Sequence, residues 1–183
     1  IPQNIIVTSI KNDIAGCNDG SLRKITLNPS KMAVSVSGFF TLKEDDPVTQ
    51  IISTADYHVA LTLNSNIHLF SKQKLTKVAS YSDISNILFI WCSESNKVLA
   101  IDNNAILYTL MYENYRLKLK SDHQLIGRRQ FQAAFFDHGF LTAVDSDRAS
   151  FDTVFTARFG SFPVYTINRY LGSIHSIGST LND

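Results

Sequence analysis

Apolar positions along the chain fall in short runs of β-branched and aromatic residues separated by clusters of Asn, Asp, Ser and Gly, with no convincing amphipathic helix between them. The pattern predicts an all-β protein. The runs come in threes: Ile5 to Ile10, then Ile14 to Cys17, the turn Asn18-Asp19-Gly20, and Leu22 to Leu27. Val48 to Ser53, Val59 to Leu63, the turn Asn64-Ser65-Asn66 and Ile67 to Phe70 repeat the arrangement. Ile87 to Cys92, Val98 to Ile101, the turn Asp102-Asn103-Asn104 and Ile106 to Leu110 repeat it again. A last group has Phe131 to Phe136, a tight Asp137-His138-Gly139 connection, Phe140 to Val144, the turn Asp145-Ser146-Asp147, and Phe151 to Phe155.

The first apolar residues of the third runs, Leu22, Ile67, Ile106 and Phe151, stand 45, 39 and 45 positions apart. Several strands per unit at a period of about 40 residues is the spacing of β-propeller blades. One small antiparallel sheet has two faces to bury, and stacking against the next sheet buries them, so blades come in series. The predicted units are residues 5–42, 48–82, 86–125 and 130–162, with 163–183 either opening another blade or forming an irregular tail. A seven-bladed ring at about 40 residues per blade needs more chain than 183 residues, so the four units read as part of a ring or a ring with segments missing. Lys43-Glu44-Asp45-Asp46-Pro47 reads as a solvated loop.

Composition narrows the function classes. A chain of 183 residues that is 44% hydrophobic has enough apolar surface for one domain core. Its net charge of +1 provides no long-range field to draw it onto nucleic acid or an anionic membrane. Cys17 and Cys92 are far apart and lack metal-ligand spacing, which fits a reducing intracellular compartment. No apolar run approaches the roughly 20 residues of a membrane span, and the opening at Ile1 reads as a portion of something longer.

Three segments resemble the citron-homology type of WD-like propeller found at the N-termini of subunits of the endolysosomal HOPS and CORVET tethering complexes. Ala15-Gly16-Cys17-Asn18-Asp19-Gly20-Ser21-Leu22 is similar to that family's small-Gly-x-x-Asp-Gly-x-Leu hairpin. Val48-Thr49-Gln50-Ile51 before Val59 to Leu63 resembles its second unit, and Asn86 to Phe89 before Val98 to Ile101 its third. The Gly-His and Trp-Asp signature of ordinary WD repeats is missing, and Trp91 precedes Cys92 rather than an aspartate. The resemblance spans roughly residues 5–125 and implies a non-catalytic role in assembling a tether or regulating small GTPases, in the cytoplasm or at the endolysosomal membrane surface.

Motifs for chemistry are sparse. His58, His68, His123, His138 and His175 never pair at ligand spacing, and His68 is expected on the polar face of a strand. Asp145-Ser146-Asp147 with Asp152 resembles the start of a calcium loop, but Ser150 and Thr156 stand where that loop needs Gly and Glu. Gly172 to Gly178 mixes Ser and His without the geometry of a triad. No cofactor, no metal and no catalytic residue is predicted.

One charge pattern points to recognition. In Tyr115-Arg116-Leu117-Lys118-Leu119-Lys120, alternation places Arg116, Lys118 and Lys120 on one strand face and Tyr115, Leu117 and Leu119 on the other, with Arg128 and Arg129 following. Such lysines also deter edge-to-edge aggregation. Read functionally, the five cations form a patch for an acidic protein surface, a phosphoinositide head group or nucleic-acid phosphate. The leading expectation is a scaffold binding other protein subunits of a larger complex, including a small GTPase. The alternative is a propeller subunit of a ribosome-assembly, transcription or repair complex, which leaves the nucleus open.

Overall fold

The computed structural model describes residues 4–31, 33–41, 46–125, 131–137, 140–147, 151–158 and 165–171. Among these residues sixteen strands form four four-stranded sheets. The first contains β1 (Val7–Lys11), β2 (Ile14–Cys17), β3 (Ser21–Asn28) and β4 (Ala33–Thr41); the second β5 (Val48–Ser53), β6 (Tyr57–Thr62), β7 (Ile67–Ser71) and β8 (Lys77–Tyr81). The third contains β9 (Ile87–Glu94), β10 (Lys97–Asp102), β11 (Ile106–Glu113) and β12 (Arg116–Gln124); the fourth β13 (Phe131–Asp137), β14 (Phe140–Asp147), β15 (Phe151–Arg158) and β16 (Tyr165–Leu171). Strands lie in each sheet in chain order. Among the described residues the only helical element is a 3-10 turn at Pro29–Lys31.

Leu22, Ile67, Ile106 and Phe151 fall in β3, β7, β11 and β15, the third strand of each sheet. Each predicted triplet is in fact a quartet. β4 and β8 complete the first two sheets, and β16, in the segment expected to be a new blade or a tail, pairs antiparallel with β15. β4 and β8 escape pattern reading, unlike β12, because exposed polar residues such as Ser35, Ser37, Lys77 and Ser80 interrupt the apolar run.

The chain divides into two compact units, one of residues 1–85, 92–98 and 110–120, the other of 86–91, 99–109 and 121–183. In the first unit, Ile14, Leu22, Val48, Ile51, Ala60 and Phe70 form a core, with Phe40 edge-on to Phe70 at 5.1 Å between ring centroids. Full burial of an aromatic side chain such as Phe70 is worth about 1.5–3 kcal/mol. Ser9 Oγ accepts a 3.0 Å bond from the Ile51 backbone N–H, and Thr8 Oγ1 donates to the Val48 carbonyl, so side chains of β1 bond directly to the β5 backbone. Gly16 makes the close approach possible, since a Cβ there would lie 2.4 Å from Val48 Cγ1.

The second unit has its own core of Trp91, Leu99, Ile101, Leu107, Phe131 and Leu141 with three buried alanines. Backbone bonds from Leu125 N–H to the Ala105 carbonyl and from Phe131 N–H to the Asn103 carbonyl tie the end of β12 and the start of β13 to the β10–β11 turn.

Candidate functional site

The sequence-predicted cations Arg116, Lys118 and Lys120 all lie on β12, which is an edge strand of the third sheet. Arg128 and Arg129 lie outside the described residues. β11 and β12 are joined by Asn114 and Tyr115, at φ 52° and 61°. Positive φ at both central residues marks a type I′ hairpin turn, whose twist matches that of the flanking strands. Asn tolerates this conformation, whereas a bulky tyrosine is held there at a cost of about 1–2 kcal/mol.

Alternation holds for the cations and only in part for their neighbours. Leu117 is buried and anchors the strand, but Leu119 is 40% exposed and Tyr115, expected on the same inner face, is 87% exposed in the turn. Burial on this face therefore ends between Leu117 and Leu119. All three cations are exposed. Lys120 Nζ donates to Glu113 Oε2 at 2.7 Å, an exposed ion pair worth about 0.2–1 kcal/mol. Among the described residues Arg116 and Lys118 make no ion pair. The hairpin therefore presents two unneutralised cations, an exposed aromatic ring and a leucine along one backbone edge.

The aspartates behave differently from the expectation of plain turn residues. Asp19 takes bonds from Ser21 N–H at 3.0 Å, Ser21 Oγ at 2.6 Å and Arg23 Nη2 at 3.3 Å. Asp102 takes them from the Asn104 and Ile106 N–H groups, both at 2.9 Å, and from the Tyr108 hydroxyl at 3.1 Å. Asp46, assigned from sequence to a solvated loop, is only 2% exposed; its carboxylate takes Asn64 N–H at 3.0 Å and Asn66 Nδ2 at 2.8 Å. Asp46 and Pro47 lie outside any strand, as the loop reading has it, but Asp46 is buried rather than solvated because it closes the β6–β7 hairpin from a distance; Lys43, Glu44 and Asp45 lie outside the described residues. Burial would raise its pKa, but the bonds from Asn64, Asn66 and Thr62 outweigh that and hold it below the usual carboxylate value. The three carboxylates brace successive hairpins. They also place Ser65 and Ala105, rather than the neighbouring asparagines, at positive φ.

Other expectations are also corrected. Asp145, Ser146 and Asp147 are not a turn but the end of β14, paired with Thr153, Asp152 and Phe151 of β15, because the ladder between the two strands runs on to the Asp147–Phe151 pair. His68 does not sit on a solvated face. Its register partner Ala60 belongs to the first unit's core, its ring lies 6.4 Å from Phe70, its Nδ1 is buried without a hydrogen bond, and burial lowers its pKa to about 4. His58 is buried and bonded to Ser53 Oγ at 2.8 Å, and His123 is exposed on β12. His138, His175 and the Gly172 to Gly178 segment lie outside the described residues.

Cys17 and Cys92 are free, and burial pushes the Cys92 thiol up to about 12, far from a reactive thiolate. Among the described residues no three His, Cys, Asp or Glu side chains gather to hold a metal ion, and no helix is long and apolar enough to cross a membrane.

No protein-family model matches the chain, and no curated protein matches it. Solved structures do. The β-propeller domain of Cps50 (Swd1) from Myceliophteria thermophila is similar at a TM-score of 0.60 and 14% identity, over 86% of this chain and 56% of that one. BamB from Moraxella catarrhalis is similar at 0.55 and 13%, over 82% and 50%. The N-terminal domain of Nup159 is similar at 0.52 and 9%, over 91% and 47%. The chain spans about half the length of each of these structures. At such identities the likeness concerns fold alone, and with the four consecutive antiparallel sheets it shows this chain to be a partial β-propeller.

Proposed function

We propose that the chain is a non-catalytic β-propeller scaffold that holds other proteins in a multisubunit complex, with the outer edge of β12 as a contact surface. The observation that carries this reading is an open, basic strand edge: Arg116 and Lys118 are exposed and lack an ion pair among the described residues, while Leu117 between them is only 5% exposed and fixes their strand. Exposed charge at an interface rim sets association rate and partner choice more than it sets stability. Arg128 and Arg129 extend the proposed patch along the sequence.

Within this reading, the resemblance of the first three units to tethering-complex propellers favours a membrane-tethering assembly or a small GTPase as partner. No cofactor is needed for such a role. The test is affinity capture of the full-length protein, wild type against a variant with Arg116, Lys118 and Lys120 changed to glutamate. Loss of a stoichiometric acidic protein, with unchanged melting temperature, supports the proposal. An unchanged partner list refutes the role of β12, and nucleic acid recovered with steep salt dependence would replace the proposal by the nucleic-acid alternative.

A further inference from the structure

Tyr115 stands where glycine would serve the fold better. Its φ of 61° is the left-handed region that a bulky side chain resists, and at 87% exposure its ring recovers little by packing. Backbone strain held without benefit to the core is a pointer to function, and an exposed tyrosine is a residue type that dominates binding energy at interfaces. Immediately beyond it runs β12, an edge strand whose residues from Arg116 to Lys120 are all exposed apart from Leu117.

We propose that the β12 edge receives an extended acidic segment of a partner protein as an added β-strand, with Tyr115 as its aromatic anchor. The proposal deepens the scaffold reading and rests on it. An edge strand offers unpaired backbone donors and acceptors to an incoming chain, which supply affinity, while alternate side chains supply specificity. Arg116 and Lys118 lie two residues apart, about 6.6 Å along the strand, which is also the spacing of carboxylates at alternate positions of an added strand. Lys120 is already engaged by Glu113, so two acidic residues suffice. Exposed Leu119 gives an apolar neighbour of the partner a place to rest. A second copy of this chain is the poorer occupant, because pairing β12 with itself sets cations opposite cations.

The test uses the whole chain and a fluorescent peptide alternating glutamate with valine, followed by anisotropy at low and physiological salt. Two control peptides carry lysine for glutamate, or N-methyl groups on alternate backbone amides. The acidic peptide is expected to bind, the lysine peptide not to bind, and the N-methylated peptide to bind at least about tenfold more weakly. Tyr115→Gly should weaken binding by about tenfold without lowering the melting temperature, and Arg116→Ser with Lys118→Ser should weaken it and flatten its salt dependence. Equal binding of the N-methylated peptide, an unaltered affinity in Tyr115→Gly, or tighter binding to a single-stranded oligonucleotide or to phosphoinositide vesicles would overturn the proposal. If full-length protein keeps its stoichiometric partners when these residues are changed, strand addition falls and the scaffold reading stands. If the peptide binds as expected but the full-length protein holds no partner, the scaffold reading falls alone.

Discussion

Two segments of the first unit, β2 and residues 116–120 of β12, use the same β geometry to opposite ends. β2 is buried along its whole length, and Gly16 lets Val48 of the next sheet come so close that no side chain fits between them. β12 has buried only Leu117 and turns its remaining side chains from Arg116 to Lys120 to solvent. Burial is concentrated along β2 and its contact with Val48, whereas β12 is one of the edge strands and, as proposed, the one that serves recognition. The contrast teaches where a substitution should be felt as lost folding and where as lost binding.

The sharpest way to break the buried side is Phe70→Ala, which should cost about 3–5 kcal/mol in a denaturant titration by leaving a cavity beside Phe40. Gly16→Ala comes next: its methyl meets Val48 Cγ1 at 2.4 Å and Val48 Cβ at 2.8 Å, so the sheets must part, at about 1–3 kcal/mol. If Gly16→Ala melted with the wild type, the close approach of β2 and β5 would be disproved.

Acid should weaken the same side by a gentler route. His68 is held neutral by burial, with its pKa lowered to about 4 from 6.5, and His58 is lowered in the same direction. The unfolded chain therefore binds protons first as pH falls below 6.5, and stability declines from there until His68 itself titrates near 4. Below that, Asp19 and Asp46, whose pKa values lie under the ordinary 3.8, lose their contribution as they protonate. His68→Gln should flatten the slope of melting temperature against pH between 6.5 and 4, and an unaltered slope would place the ring in water.

On the open side the expected stability effects are small. Tyr115→Gly should raise stability by about 0.5–1 kcal/mol, since glycine adopts the turn without strain. Arg116→Glu with Lys118→Glu should change it by no more than about 0.5 kcal/mol. A large loss in the latter would mean that β12 is packed rather than free.

The first three strands of each sheet were legible because their apolar runs are bounded by Asn, Asp and Gly, and Leu22, Ile67, Ile106 and Phe151 landed in equivalent strands. The outer strands β4 and β8 were not, because polar residues such as Ser35, Ser37 and Ser80 break their runs. The turns of the first three sheets were legible as turns, but not their bracing, and Asp145 to Asp147 proved to be strand. Nothing in local sequence shows that Asp46 reaches Asn64 and Asn66 across the second sheet, or that Ala105 takes the positive φ beside Asp102. At β12 the alternation of cations was plain, whereas the strained, exposed placement of Tyr115 depends on where the hairpin folds back.

Amide hydrogen exchange on the whole chain, with and without the acidic peptide, tests the contrast most directly. The account predicts that the amides of Ile14–Cys17 and Val48–Ser53 exchange only through global unfolding, that Arg116 to Lys120 exchange much faster, and that the peptide slows the latter alone. Equal protection of the two regions in the free chain, or slowing elsewhere with β12 unchanged, would contradict it.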